Sequence, residues 1–205
     1  MIIYKDFQQG SIEWLQIRLG KVTGSRIKEV MTKDNLPLVD KLIAESVTEE
    51  IEEGYVSREM QRGKDLEPFA KAKYAKATGQ KVEEVGFIVS KKYPWLGYSP
   101  DGLIKTKGLY KKGIEIKCPS THTHVKYIRQ SKLPNEHKYQ VLGFFLIAQD
   151  LEEVDFISYD DRFSIKPLHI VTVTRSEVET ELIELENALV KFNDKFQKYY
   201  DSILF

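Results

Sequence analysis

Residues 38–53 carry Leu38, Leu42, Ile43, Val47 and Ile51, near the 3.6-residue period that gathers apolar side chains along one stripe of a helix. Upstream, Ser11 opens a predicted short helix carrying Trp14, Leu15 and Arg18, and Gly20 ends it. Thr23 or Ser25 caps a second, running through Met31. Asn35-Leu36-Pro37 is a break, and Gly54 is the expected stop of the helix over 38–53. A longer helix is predicted from about Ser57 to Ala77, closed by Gly79, with Pro68 as a kink or a new first turn.

The period then shortens. VEEVGFIVS (82–90), LGYSPDGLI (96–104) and KKGIEIKCP (111–119) read as strands separated by turn residues. Helix returns over 121–131, and again after Pro134, where Tyr139, Leu142, Phe145 and Leu146 recur at helical spacing. VDFISYD (154–160) and LHIVTVT (168–174) are two further strands. A last helix opens at Ser176, with Ser176 and Glu179 as a capping box, and runs to about Tyr200. This order predicts an α/β sandwich, a mixed central sheet with helices on both faces. With no repeat, low-complexity segment or linker, one domain over 1–205 is expected.

Composition narrows the function classes. Of 205 residues, 41% are hydrophobic and 30% charged, an ordinary soluble balance. No basic segment followed by an apolar run opens the chain, and no apolar stretch approaches the roughly 18 residues of a membrane span. The single Cys118 excludes an intrachain disulfide framework and a multi-cysteine metal cluster. A reduced cytoplasm is the expected location, with no membrane partner. Formal net charge is zero, yet residues 105–132 hold eight Lys or Arg against Glu115 alone. Five glutamates stand in 45–53 and five more in 177–186, with no Lys or Arg in either. Such segregation either presents one positive face to phosphates, with His122 and His124 beside it, or marks unrelated solvated faces.

The candidate chemistry lies in YSPDGLIKTKGLYKKGIEIKCPS (98–120). Asp101 stands at a strand end. Glu115 and Lys117 stand two apart on the next strand, where a period of two turns both to one face. Two carboxylates and the Ile116 carbonyl are hard oxygen donors suited to Mg²⁺. A bound divalent ion neutralises phosphate charge and activates water, and Lys117 beside it could position that water. The plainer reading is a Lys-rich surface hairpin whose Glu115–Lys117 pair contributes little. Trp14, Trp95 and Tyr139 read first as packing aromatics, and Cys118 as a small buried residue. His122, His124 and His137 lack a zinc spacing.

Pro100-Asp101 followed by Glu115-Ile116-Lys117 resembles the PD-(D/E)xK nuclease motif. Together with EWLQIRLGKVTGS (13–25), RGKDLEPFAKAKY (62–74) and HKYQVLGFFLIAQ (137–149), the ordered set resembles the lambda-type phage exonucleases, the YqaJ viral recombinase family, over residues 11–149. The resemblance implies a restriction-endonuclease-like core. It implies Asp101, Glu115 and the Ile116 carbonyl as metal ligands, with Glu67 supporting a second metal or its waters. Lys117 is then the catalytic lysine, and Gln140 lies close to the site. Arg18, Ser25 and Ser99 match residues that bind the 5′-terminal or nearby phosphates. The family's activity is Mg²⁺-dependent (Mn²⁺ substituting, two ions) 5′→3′ digestion of linear double-stranded DNA. It leaves a 3′ single strand for an annealing protein, and the lambda type is a homotrimer. The segment between Asp101 and Glu115 is longer and richer in lysine than the family pattern, and nothing after residue 150 matches a motif. The same core also serves structure- or sequence-selective endonucleases, and a catalytically silent DNA-end binding protein would keep the fold.

Overall fold

The computed structural model describes residues 1–51 and 57–204. Two mixed sheets form its frame. The larger has the order β3 (Val82–Glu83), β6 (Gly102–Thr106), β7 (Leu109–Lys117), β8 (Glu153–Tyr159), β9 (Leu168–Thr174). β7 and β8 are parallel, and the other neighbours antiparallel. The smaller has the order β1 (Ile2–Tyr4), β4 (Phe87–Val89), β5 (Leu96–Tyr98), β2 (Val22–Thr23), with only β2 and β5 parallel.

The parallel β7–β8 pair needs a crossover, and α5 (Thr121–Gln130) and α6 (Lys138–Ile147) supply it. Residues 141–147 of α6 are buried on every side, as a helix at the centre of a core must be. Around it pack α2 (Ile27–Val30), α3 (Leu36–Thr48) and α7 (Glu179–Leu204), the last through Leu182, Leu185, Leu189 and Phe192. On the other face of β7, α4 (Arg58–Thr78) lays Ala70 and Tyr74 over Ile104, Ile114, Ile116 and Ile157. Alternation along β7 therefore gives Ile114 and Ile116 to α4 and Gly113 and Glu115 to the α6 side. Gly113 permits this, because a Cβ there would stand 2.3 Å from the Phe144 ring.

The mixed sheet flanked by helices is as expected, and the differences lie in punctuation. The stretch 82–90 divides into β3 and β4 of different sheets. It does so at Gly86, where a Cβ would stand 1.6 Å from the Phe7 carbonyl oxygen. The stretch 96–104 divides into β5 and β6 at Pro100-Asp101, where proline has no N–H to give a ladder. β1 and β2 are too short to show a pattern. α3 ends at Thr48, with Glu49 left-handed, rather than at 53; Gly54 lies outside the described residues. Ser11 caps α1 (Ile12–Arg18) through the Trp14 amide, and Ser57 caps α4 through that of Met60. Neither Thr23 nor Ser25 caps by a side chain; Thr23 ends β2, and Ser25 lies in a 3₁₀ turn, Gly24–Arg26. The capping box is Thr174 with Glu177, two residues before the expected pair.

Candidate active site

Glu115 is 1% exposed, which overturns the surface-hairpin reading. A buried carboxylate is costly unless its oxygens are hydrogen-bonded or paired, and here both oxygens are. Oε2 accepts from the Tyr98 hydroxyl at 2.5 Å, and Oε1 from Gln140 Nε2 at 2.5 Å and Lys117 Nζ at 2.6 Å. Tyr98 is buried and stacked on Phe144 at 4.4 Å, so the donor on Oε2 is itself fixed by packing. The strand period does set Lys117 beside Glu115. Asp101 Oδ2 accepts the Ile116 amide at 2.5 Å, which ties the Pro100-Asp101 bend to β7. The Ile116 side chain turns into the cluster beneath α4, leaving its backbone to the site.

Electrostatics make this a strained acidic cluster. Burial, then the charges of Glu115 and Glu67, hold the Asp101 carboxyl well above the usual carboxylate range. Burial also raises Glu67, against the pull of Lys71. For Lys117 burial works to lower the pKa, but Glu115 and Asp101 outweigh it and the result is raised. Three carboxylates thus lie around Lys117, with Lys71 3.7 Å from Glu67 alone of the three, and a hard divalent cation would relieve their repulsion. Among the described residues no group of three or more His, Cys, Asp or Glu is gathered to enclose an ion. The fit is that of an open site, with Asp101, Glu115 and the Ile116 carbonyl as donors and the remaining positions for water and substrate.

A cleft of about 440 Å³ opens here, lined by Glu67, Asp101, Ile116, Lys117, His137 and Lys64 among others. Glu67, Lys64 and Asp101 also line an adjoining groove of about 540 Å³ that carries Lys5 and Lys71. Burial first, then the Lys117 charge, pushes His137 down to about 4, so its imidazole is neutral at pH 7. It stacks on Phe156 at 5.2 Å and meets the Tyr127 hydroxyl at 3.2 Å.

The structure brings Arg18 and Ser99 together. Ser99 Oγ accepts from Trp14 Nε1 at 2.9 Å and from Arg18 Nη1 at 3.4 Å, and the guanidinium lies 3.9 Å over the Trp14 ring. Burial, with Arg26 nearby, pushes Arg18 down to about 10, and its buried Nε has no hydrogen-bond partner. Ser25 does not join them: it is exposed, 3.5 Å from the Thr23 hydroxyl. Its turn is still part of the frame. A Cβ on Gly24 would stand 2.2 Å from the Tyr98 ring, and Arg26 pairs with the buried Glu45.

Several readings of the sequence change. The basic run is largely ion-paired: Lys105 with Glu83, Lys111 with Glu152, Lys112 with Glu153 and Asp155, and Lys126 with Glu136. His124 is fully buried, with Ser158 and the Lys166 carbonyl on its two ring nitrogens. Among the described residues, His122 bonds its neighbours Ser120 and Thr123. Burial pushes the half-buried Cys118 thiol up to about 12, which leaves it no thiolate character at pH 7. Trp14 serves the Arg18 cluster rather than only packing. Tyr98 and His137 escaped sequence reasoning. The adjacency of Tyr98 to Ser99-Pro100-Asp101 was a usable signal, whereas the place of His137 depends on a long-range fold.

The family model for the YqaJ-like viral recombinase domain matches residues 13–149. The chain belongs to this family. It is similar to an alkaline exonuclease (LHK-Exo) from Laribacter hongkongensis, at 33% identity over 94% of this chain and 96% of that one, with a TM-score of 0.85. The structure of that enzyme in complex with dAMP matches equally. A phage related exonuclease from Haemophilus somnus 129PT shares the fold, with a TM-score of 0.58 at 15% identity over 90% and 95% of the two chains. None of the curated proteins compared with the chain matches it. No helix among the described residues is long and apolar enough to cross a membrane.

Proposed function

We propose that the chain is a divalent-metal-dependent 5′→3′ exonuclease that digests one strand of linear double-stranded DNA and leaves a 3′ single strand. The family, and the near full-length likeness to an alkaline exonuclease, support a DNA exonuclease. The observation that carries the mechanism is the buried Glu115. Tyr98, Gln140 and Lys117 hold it, and Asp101 is tied to the next residue's amide. Asp101, Glu115 and the Ile116 carbonyl would hold Mg²⁺, or Mn²⁺ in its place, and Glu67 a second ion or its waters. Such ions supply charge neutralisation and an acidified water. Lys117, with its pKa raised by the carboxylates around it, is a donor rather than a base. Its Nζ orients the attacking water and offsets charge on the phosphate oxygens. Gln140 and Tyr98 fix the Glu115 carboxylate just beneath the cleft floor formed by its neighbours Ile116 and Lys117.

Arg18 and Ser99 bind the terminal 5′ phosphate, with Trp14 holding the guanidinium flat; an anion would satisfy the unpartnered Nε. Ser25 belongs to this set as a contact to a neighbouring phosphate, made once DNA is bound. A homotrimer, a single-strand annealing partner and a cytoplasmic location complete the proposal. Lys117→Ala tests the chemistry. Losing the donor should lower cleavage of linear duplex about 10²–10⁴-fold, while binding of DNA ends in EDTA survives. Cleavage near the unsubstituted rate would remove Lys117 from the mechanism.

A further inference from the structure

A second buried carboxylate stands outside the cleft, just past the end of β8. Asp160 is fully buried and four hydrogen bonds converge on it. Arg62 Nη2 donates at 2.9 Å, Arg162 Nε at 2.8 Å and the Arg162 amide at 3.3 Å. Thr121 Oγ1, in the first residue of α5, donates at 2.5 Å. Arg62 reaches further: its Nη1 lies 3.4 Å from the carbonyls of both Cys118 and Pro119. Arg162 Nη2 lies 3.4 Å from the Pro119 carbonyl as well. These two carbonyls directly follow Lys117, where β7 ends.

A groove of about 510 Å³ runs beside this cluster, but it is not built for an anion. Asp160 and Asp161 already engage Arg62, and Asp160 engages Arg162, so the four charges cancel. The geometry serves the neighbouring cleft instead. α4 turns Met60, Gly63, Lys64 and Glu67 to the cleft, and Arg58, Gln61, Arg62 and Asp65 to the groove. Cys118 and Pro119 line both. The Arg62–Asp160 tie therefore passes directly behind the strand end that carries Lys117.

We propose that Asp160 is a positioning residue for phosphodiester cleavage. Through Arg62 it clamps the first turns of α4 onto the exit of β7 and so sets the spacing between Glu67 and Lys117. This rests on the nuclease reading above. The far half of α4 has its own anchor, since Tyr74 donates to the buried Asp155 at 2.6 Å and packs with Ala70 against the sheet. Loosening the clamp should leave the fold intact. The arginines are 28% and 49% exposed at their side chains, so water can take over when the carboxylate is neutralised.

The test compares Asp160→Asn, Arg62→Lys and the double variant with the unsubstituted protein. It measures steady-state digestion of linear duplex with Mg²⁺, melting temperature, and hydrogen exchange of the amides at 58–66 and 118–124. A displaced group near the chemistry costs about tenfold to a hundredfold in kcat. Each single variant should show that loss with KM unchanged within about twofold, and the double variant should be no worse than the poorer single, as for one shared interaction. Exchange should quicken at both amide segments. Arg62→Lys keeps the charge on a half-buried residue and remains informative if Asp160→Asn fails to fold. An unchanged kcat per folded molecule, additive losses, or unaltered exchange would each overturn the proposal. If the unsubstituted protein cuts nothing, the nuclease reading fails; quickened exchange in the variants would still support the clamp, and unaltered exchange would remove it.

Discussion

Arg18 is a cation that the fold has made uncomfortable. Burial has lowered its pKa to about 10, and its Nε is left without a partner. A charge-assisted hydrogen bond contributes roughly 1.5–3 kcal/mol. Arg18→Ala should therefore cut the preference for 5′-phosphorylated over 5′-hydroxyl ends by about tenfold to a hundredfold, read as the ratio of digestion rates on the two ends. An unchanged ratio would remove Arg18 from phosphate recognition. His137 gives a pH signature instead. Its pKa falls from 6.5 to about 4 on folding, through burial and the Lys117 charge. The unfolded chain then binds the extra proton first, so stability is lost as pH falls from about 6.5 toward about 4. Between pH 7 and pH 5 the loss from this group is about 1–2 kcal/mol. His137→Gln should flatten that part of a melting-temperature profile; an equally steep profile would assign the acid sensitivity elsewhere. The closeness of Asp101, Glu115 and Lys117 was legible in the sequence, because a strand end and a strand's period of two need only local geometry, whereas Gln140 beside Glu115 came from the family resemblance alone. Tyr98 had only its adjacency to Ser99-Pro100-Asp101 as a signal, and His137 had none, because its place at the cleft depends on a strand and a helix far away in the chain.

Elements carry this geometry by close approach. The turn Gly24–Arg26 packs on Tyr98 with no room for a side chain, since a Cβ on Gly24 would stand 2.2 Å from the ring. Gly24→Ala should destabilise the protein by about 1–3 kcal/mol, as overpacking does. It should also slow cleavage, because the displaced Tyr98 hydroxyl no longer holds Glu115. Thermal melts and rates at a temperature where the variant is folded separate the two effects; wild-type cleavage with Tyr98 crowded would show that this hydrogen bond is dispensable. The long elements were readable from periodicity and caps: α4 between Ser57 and Gly79, α7, and strands β7, β8 and β9. What escaped was where a readable stretch changes sheets, at Gly86 and Pro100. There a local backbone constraint decides the partner, and the apolar pattern runs straight through it. The Lys-rich hairpin misled for a related reason. Lys107 and Gly108, both at positive φ, close a tight turn, and the lysines around it meet glutamates from β3 and from the start of β8, pairings invisible along the chain.

At the scale of the whole molecule, a neutral chain gathers Glu67, Asp101 and Lys117 along one cleft, with the buried Glu115 paired to Lys117 behind it. The fold gives each a different support: α4 carries Glu67, the bend between β5 and β6 carries Asp101, and β7 carries Glu115 and Lys117. Such an arrangement is costly to fold and is retained where chemistry needs it. The most direct test is digestion of a linear duplex bearing one 5′-phosphorylated and one 5′-hydroxyl end, beside a closed circle, in Mg²⁺ and in EDTA. Mg²⁺-dependent loss of the strand that begins at the phosphorylated end, with the circle intact and EDTA abolishing the reaction, is the result predicted. A nicked or linearised circle would contradict the exonuclease reading in favour of an endonuclease, and end binding without cleavage in either buffer would contradict the catalytic one.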